Sequence, residues 1–128
     1  MTNDNLPAGN ERVPELNDVL VRDVVDAFIA STNAFDADEV LRLFATDAVI
    51  DDPSTGHRFD GVAGVRQYIE QYFVGYKTVS KLLSVNQLRD GRTRVRVDFT
   101  GDFGHEIGLL DIRFGKDGRI VRIDAELE

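Results

Sequence analysis

Two consecutive aspartates followed by a proline, Asp51, Asp52 and Pro53, are the residues whose types and spacing most clearly suggest chemistry. Side chains alternate along a strand, so the two carboxylates point to opposite faces and one of them meets the interior. Pro53 restricts Asp52 to extended geometry, which gives that carboxylate a defined direction. A carboxylate directed into an apolar cavity is costly and is typical of a general base. Equally, the pair could cap the turn at 54–56, and both interpretations remain open.

Composition excludes several classes of function. The chain has 128 residues, enough for one domain, and 42% of them are hydrophobic. Its 23 acidic and 15 basic residues give a net charge of −8, which argues against binding to nucleic acids or anionic membranes. There is no cysteine, and His57 and His105 have no metal-ligand spacing, so we expect neither a metal nor another cofactor. No apolar stretch is long enough for a membrane span and no signal peptide is recognisable, so we expect a cytoplasmic protein.

Hydrophobic periodicity divides the chain into a leader and one domain. Residues 1–16 are polar and interrupted by proline and glycine, which predicts a flexible leader. The domain, 17–128, opens with apolar residues at helical spacing over about four turns. Asp36 and Glu39 predict a capping box at the start of a second, short helix, and Asp60-Gly61 predicts the cap of a third.

After residue 77 the apolar residues recur with a period of two. Turn signals separate four predicted antiparallel strands, at 78–89, 92–100, 105–114 and 119–127. The alternation places strand arginines and acids, including Asp98, Asp124 and Glu126, on one polar face of the sheet. Three helices cover only one face of a single curved sheet, so the polar face predicts a homodimer.

The order of these elements, two helices, a short strand that ends in Asp-Pro, a third helix and long hairpins, resembles that of the nuclear transport factor 2-like superfamily. This superfamily includes ketosteroid isomerases, SnoaL-like polyketide cyclases and limonene epoxide hydrolases. The resemblance covers about residues 18–127 and is most specific at 24–36, at 43–53 (Leu-Phe-Ala-Thr-Asp-Ala-Val-Ile-Asp-Asp-Pro) and at 61–66. It implies an α+β domain in which a cone-shaped, curved antiparallel sheet packs against three helices. It also implies a pocket for an apolar, steroid- or polyketide-like small molecule.

The ketosteroid isomerase site, carried over residue by residue, is matched only in part. The resemblance places the general base on Asp52 and the oxyanion-hole tyrosine on Phe28, which has no hydroxyl. The second oxyanion donor of those enzymes falls on Leu110, next to Asp111. Regular alternation turns Asp111 to the polar face, whereas a bulge near Gly108 would turn it into the cavity as a second catalytic carboxyl.

Two functions from different classes fit these residues. The first is an isomerase or cyclase in which Asp52, with Asp111 if it faces the cavity, acts on a proton next to a carbonyl. Its ligand-binding residues are predicted to be Phe28, Phe44, Tyr68, Tyr72, Phe73, Val97, Phe99, Leu110 and Ile112. Tyr68, Tyr72 or His105 would then replace the missing donor. The second is a non-catalytic ligand-binding or dimerisation module in which Asp52 caps its loop. An epoxide hydrolase is a weaker alternative, because strand parity turns Asp124 to the polar face.

Overall fold

The computed structural model describes residues 18–128, so the predicted leader at 1–16 lies outside the described residues. Its helices are α1 (Asp18–Asn33), α2 (Ala37–Leu41) and α3 (Gly61–Ile69). Its strands are β1 (Phe44–Asp52), β2 (His57–Asp60), β3 (Val79–Gln87), β4 (Thr93–Gly101), β5 (Gly104–Phe114) and β6 (Ile120–Leu127). A 3-10 turn, Pro53–Thr55, follows β1, and a π-helix, Glu70–Val74, continues α3. None of the helices described is both long and apolar enough to span a membrane.

The six strands form one sheet in the order β2-β1-β6-β5-β4-β3. The predicted antiparallel meander is confirmed for β3 to β6. The sheet is nevertheless mixed, because β1 runs parallel to β6, with Ile50 opposite Ile123. The short strand β2 was not predicted. It has one apolar residue, Phe59, which pairs with Ile50, and four residues are too few to show a period.

Helices α1 and α3 pack on one face of the sheet and form the core with it. The buried residues of α1 recur at helical spacing: Val21, Val25, Phe28 and Thr32. At its last residue the side-chain amide of Asn33 donates to the Ser80 carbonyl of β3 at 2.9 Å and accepts from the Ser80 N–H at 2.7 Å. These two bonds attach the helix to the edge strand of the meander.

The N-terminal caps of the two shorter helices differ. Asp36 caps α2 as predicted, accepting from the Glu39 N–H at 3.1 Å. Asp60 occupies the N-cap position of α3, but its side chain makes no capping bond and instead pairs with Arg58 at 3.0 Å. Helix α3 is held by packing against β2. A Cβ built at Gly64 would lie 2.9 Å from the main-chain carbonyl carbon of Phe59.

Alternation along β4 is as predicted, with Val95 and Val97 buried and Arg94 and Arg96 on the other face. In β6 regular alternation would place Val121 on the same face as Ile123, whereas the structure buries Ile120 and Ile123. A bulge causes the difference: Phe114 of β5 pairs with Ile120, and Arg113 pairs with Arg122, so Val121 is the extra residue.

Candidate functional site

A cavity of about 490 Å³ lies on the helix-covered side of the sheet, between α3 with its π-helix and strands β4 to β6. Five of the predicted pocket residues line it: Tyr68, Tyr72, Phe73, Phe99 and Leu110. The other four, Phe28, Phe44, Val97 and Ile112, do not; they belong to the buried core.

The core rings explain where the cavity ends. The Phe28 ring packs against Phe44 and Phe73, with centroid separations of 6.2 and 6.0 Å. These three rings fill the interior beneath the cavity and leave the cavity itself open. A hydroxyl at position 28 would therefore lie in the core, and the first helix offers the cavity no donor there.

Asp52, the last residue of β1, contributes a carboxylate to the cavity wall. It is only 9% exposed, and its side chain is held by three donors. The Ser54 N–H and hydroxyl donate to Asp52 Oδ1 at 3.1 and 2.7 Å, because Pro53 opens a 3-10 turn that brings Ser54 back towards the strand. The Tyr68 hydroxyl donates to Oδ2 at 2.6 Å. Asp52 thus caps its loop through Oδ1 and also lines the cavity, so the capping role does not take the carboxylate out of the cavity wall.

The hydrogen bonds leave Asp52 with one unused acceptor position. A carboxylate has about four lone-pair positions, two on each oxygen. The two Ser54 donors occupy Oδ1, and Tyr68 occupies one position on Oδ2. Within residues 18–128 no basic side chain pairs with Asp52. Its neighbour Asp51 instead accepts from Arg122 Nη2 at 3.2 Å, on the opposite face.

Tyr68 reaches Asp52 from α3 and is buried, with 8% exposure. Phe59 packs edge-on against its ring at a centroid distance of 5.1 Å. Burial, and then the charge and hydrogen bond of Asp52, raise the pKa of the Tyr68 hydroxyl well above its usual value. Tyr68 therefore keeps its proton at neutral pH and remains a hydrogen-bond donor.

Tyr72 supplies a second phenol to the same wall. Its ring lies 5.2 Å from that of Tyr68, centroid to centroid. No hydrogen bond to the Tyr72 hydroxyl is found in the part of the chain that the structure describes. The π-helix widens the turn here: the Gly75 N–H donates to the Glu70 carbonyl five residues back, at 2.8 Å. The Thr78 hydroxyl then donates to the Tyr72 carbonyl at 2.7 Å, which fixes this segment against β3.

Asp111 lies on the other face of the sheet and takes no part in the cavity. Arg94 Nε and Nη2 donate to its two oxygens at 2.8 Å each, and Arg92 Nη1 lies 3.4 Å from Oδ2. Strand pairing through Gly108 is continuous, so the bulge that would have turned Asp111 inward does not occur. Gly108 instead makes room for a ring, since a Cβ there would lie 2.8 Å from Phe99 Cε2. The expectation of a second catalytic carboxyl at Asp111 is therefore not supported by its position.

Several cavity residues were not predicted from the sequence. They are Ser54, Thr55, Tyr76, Thr78, Phe103, Glu106, Gly108, Ala125, Glu126 and Leu127. Alternation alone could have found Glu106, because it shares a strand face with Leu110. His105, one of the candidate donors, pairs with Asp98 at 2.6 Å on the outer face, and it is not among the residues that line the cavity.

Comparisons with known proteins agree with this fold. Residues 25–123 match the family model of the SnoaL-like domain. A candidate polyketide cyclase from Sinorhizobium meliloti superposes with a TM-score of 0.73 at 24% identity, over 81% of this chain and 94% of that chain. A candidate ketosteroid isomerase from Kribbella flavida gives 0.72 at 20%, over 86% and 78%.

A third similar solved structure is that of SalBIII, an epoxide hydrolase/cyclase-like enzyme with a role in pyran ring formation in the polyether salinomycin. It has a TM-score of 0.73 at 15% identity, over 88% of this chain and 93% of that chain. No curated protein sequence matches the chain. At these identities the structural similarities show the fold.

Proposed function

The chain belongs to the SnoaL-like family, and from that premise we propose that it is an enzyme acting on an apolar small molecule, with Asp52 as its general base. The base removes a proton from a carbon next to a carbonyl. One observation carries the proposal: a carboxylate that is nine-tenths buried lines the cavity, has no cationic partner among the described residues, and keeps one lone pair of Oδ2 unused. Solved structures that resemble this one include a candidate cyclase and a candidate isomerase.

The proposed step conserves atoms and charge. Asp52 Oδ2 takes the proton, the C–H electron pair becomes the double bond of an enolate, and the carbonyl oxygen takes the negative charge. In an isomerisation, protonated Asp52 returns the proton to a different carbon of the enolate. In a ring closure, the enolate carbon attacks a second carbonyl carbon of the same molecule, and the oxygen of that second carbonyl receives the proton from Asp52.

The enolate oxygen needs a donor, and the cavity offers Tyr72. Its hydroxyl has no partner among the described residues, so it can donate without breaking an existing bond. The Tyr68 hydroxyl already donates to the carboxylate, which positions the base. A single oxyanion donor typically lowers a barrier by about 3 kcal/mol. Because Phe28 supplies no donor, this site is best suited to substrates whose C–H is already fairly acidic, such as β-dicarbonyl compounds.

The test compares Asp52→Asn with Asp51→Asn on a panel of β-dicarbonyl compounds, aromatic polyketides and ketosteroids. Asparagine is nearly isosteric but is no base at neutral pH, so Asp52→Asn should lower kcat by about 100-fold or more while the protein stays folded. The matched control removes the same charge from the neighbouring residue, whose side chain lies on the outer face, and should keep wild-type kcat. Equal activity of the two variants would move the chemistry away from Asp52.

A non-catalytic ligand-binding module is the second candidate. It is favoured by the loop-capping bonds of Asp52 Oδ1 and by the rings that fill the core beneath the cavity. The same panel separates the two candidates. A binding module would show ligand-dependent increases in Tm without turnover.

A further inference from the structure

The charged side chains that residues 18–128 contribute to the cavity wall are all acidic. Asp52 and Glu106 place acidic side chains on the cavity side, and no lysine, arginine or histidine of residues 18–128 is part of the lining. Glu126 contributes only main chain, since its neighbours Ala125 and Leu127 face inward. The pKa of Arg94 is raised mainly by Asp111 and in part by the charge of Glu126, which agrees with a Glu126 carboxylate on the outer face. The field in the cavity is therefore negative and disfavours anionic ligands.

Aromatic rings surround the opening of this cavity. We call Tyr72, Tyr76, Phe99 and Phe103 the mouth rings; all four line the cavity. Tyr76 lies 5.9 Å from Tyr72 at an interplanar angle of 68°, and 5.9 Å from Phe103 at 62°. Tyr76 and Phe103 are 42% and 38% exposed, which is high for large aromatic side chains. An organic cation is attracted to the face of an aromatic ring when it lies within about 6 Å of the ring centre.

The main chain that carries the two exposed mouth rings is held by local contacts. The Asp102 N–H donates to the Tyr76 carbonyl at 2.8 Å, which ties the β4–β5 turn to the end of the π-helix. A Cβ at Gly101 would lie 2.8 Å from both Phe103 Cε2 and the Tyr76 carbonyl oxygen. The absence of a side chain at Gly101 thus lets the turn close on Tyr76. The main chain beneath these rings therefore does not have to be ordered when a ligand binds.

Glu106 adds a counter-charge beside these rings. It pairs with Phe99 across β4 and β5, so its side chain is on the cavity side. No ion pair of Glu106 is found in residues 18–128. From the rings, the unpaired carboxylate and the lack of basic residues we propose that the mouth is a subsite for a cationic amine, protonated or fully alkylated.

The amine would be part of the substrate, and this extension rests on the proposed function. Leu110 pairs with Ala125, and Asp51 pairs with Asp124, so Asp52 follows in the same row of the sheet. Glu106 is four residues from Leu110 along β5, or about 13 Å. A substrate with an amine at Glu106 and its acidic C–H at Asp52 therefore needs a spacer of several bonds. The substrate class is accordingly an amino-substituted carbonyl compound. Compounds that carry a free carboxylate or phosphate are not expected as substrates, because the acidic cavity disfavours anions.

The experiment measures binding of three small probes to the full chain by NMR titration of isotope-labelled protein. The probes are choline, its uncharged carbon isostere dimethylbutanol, and the anion isethionate. We expect choline to bind about tenfold more tightly than the isostere, with shifts centred on the mouth rings, and isethionate not to bind. Choline that binds no more tightly than the isostere, or that does not bind at millimolar concentration, overturns the subsite.

Matched variants test the residues. Glu106→Gln and Tyr76→Leu should each weaken choline binding several-fold and leave the isostere unchanged. Asp102→Asn removes the same charge from the adjacent turn, where the side chain does not line the cavity, and should leave choline affinity as in the wild type. An equal loss of choline affinity in Asp102→Asn and Glu106→Gln would contradict a direct contact between choline and Glu106. It would indicate that only the overall negative charge of the region attracts the cation.

The two proposals fail in different ways. Selective choline binding that survives in Asp52→Asn, together with a panel that gives no turnover, would retain the subsite and reject the enzyme. Asp52-dependent turnover of neutral carbonyl compounds without amine selectivity would reject the subsite and retain the enzyme.

Discussion

At the scale of single residues, the contrast between Asp51 and Asp52 shows how position decides the chemistry of identical side chains. Asp51 faces outward and pairs with Arg122, where water also screens its charge. Asp52 faces inward and is stabilised by three hydrogen-bond donors instead of a cation. Three donors leave one lone pair of the carboxylate open, and a general base needs such a position to accept a proton.

The bond from Tyr68 to Asp52 yields a stability prediction with a defined pH dependence. Hydrogen bonds to charged groups contribute about 1.5–3 kcal/mol, so Tyr68→Phe should lose about that much at neutral pH. The pKa of Tyr68 is raised above 10.0 in the folded state, so the folded state holds the proton more tightly than the unfolded state. Its contribution is therefore complete below pH 10 and is lost as pH rises through the folded pKa.

Urea unfolding of wild type and Tyr68→Phe at increasing pH measures this effect. We expect the difference in unfolding free energy between the two proteins to shrink as the pH rises above about 10, because only the wild type has the alkaline loss. A difference that stays constant over this range would mean that Tyr68 titrates as an ordinary exposed phenol.

At the scale of elements, the position of α3 depends on its close approach to β2. Gly64 is the contact point, and Tyr68 lies one turn further along the same helix. The tyrosine can reach Asp52 only if the helix lies close to the strand pair β1–β2. Gly64 does not line the cavity, but by letting α3 approach β2 it helps to place the Tyr68 hydroxyl at Asp52.

For Gly64→Ala, whether the free energy of unfolding rises or falls tests the contact between α3 and β2. Gly to Ala within a solvent-exposed helix normally stabilises a protein by up to about 1 kcal/mol. At Gly64 the new Cβ would meet the Phe59 main chain at 2.9 Å, so we expect Gly64→Ala to destabilise the fold by about 1–3 kcal/mol. Chemical denaturation measures it, with the exposed Gln67→Ala of the same helix as the control. A stabilised Gly64→Ala protein would show that helix and strand are not in close contact.

At the scale of the whole molecule, the outer face of the sheet is not covered by any of the helices in residues 18–128. Its ion pairs include Arg94 with Asp111 and Arg96 with Glu128. Leu109 lies in the same outer row, paired with Arg96 on one side and Glu126 on the other. Asp111 is only 5% exposed although it lies on this face, because arginine side chains cover it.

We propose that this face forms a homodimer. Its charges alternate in sign and its middle row contains apolar side chains, so a second copy related by twofold symmetry can complement both. Sedimentation at micromolar concentration should give twice the chain mass of 14.3 kDa, and Leu109→Glu should shift the protein to monomer. A wild-type monomer under these conditions would contradict the dimer.

Local patterns were enough to predict most elements of the fold and part of the site. Periodicity placed α1, α3 and the four strands of the meander, because amphipathic spacing is a property of neighbouring residues. Regular alternation through Leu110 and Ile112 indicated the polar face for Asp111, where the structure has it, whereas the strand pattern alone left open which of Asp51 and Asp52 faces the interior. Strand β2 was missed because its pairing with β1, rather than its own sequence, makes it a strand.

Only the tertiary structure decided what surrounds Asp52. The Tyr68 hydroxyl comes from a residue sixteen positions away, and its bond depends on how closely α3 packs on β2. The cavity begins above Phe73, because Phe28 and Phe44 fill the interior below it, and a sequence pattern cannot distinguish a core ring from a pocket ring. Glu106 and Phe103 reach the mouth through strand register and a turn. Burial and register arise from contacts between distant segments, so they became visible only when the chain was folded.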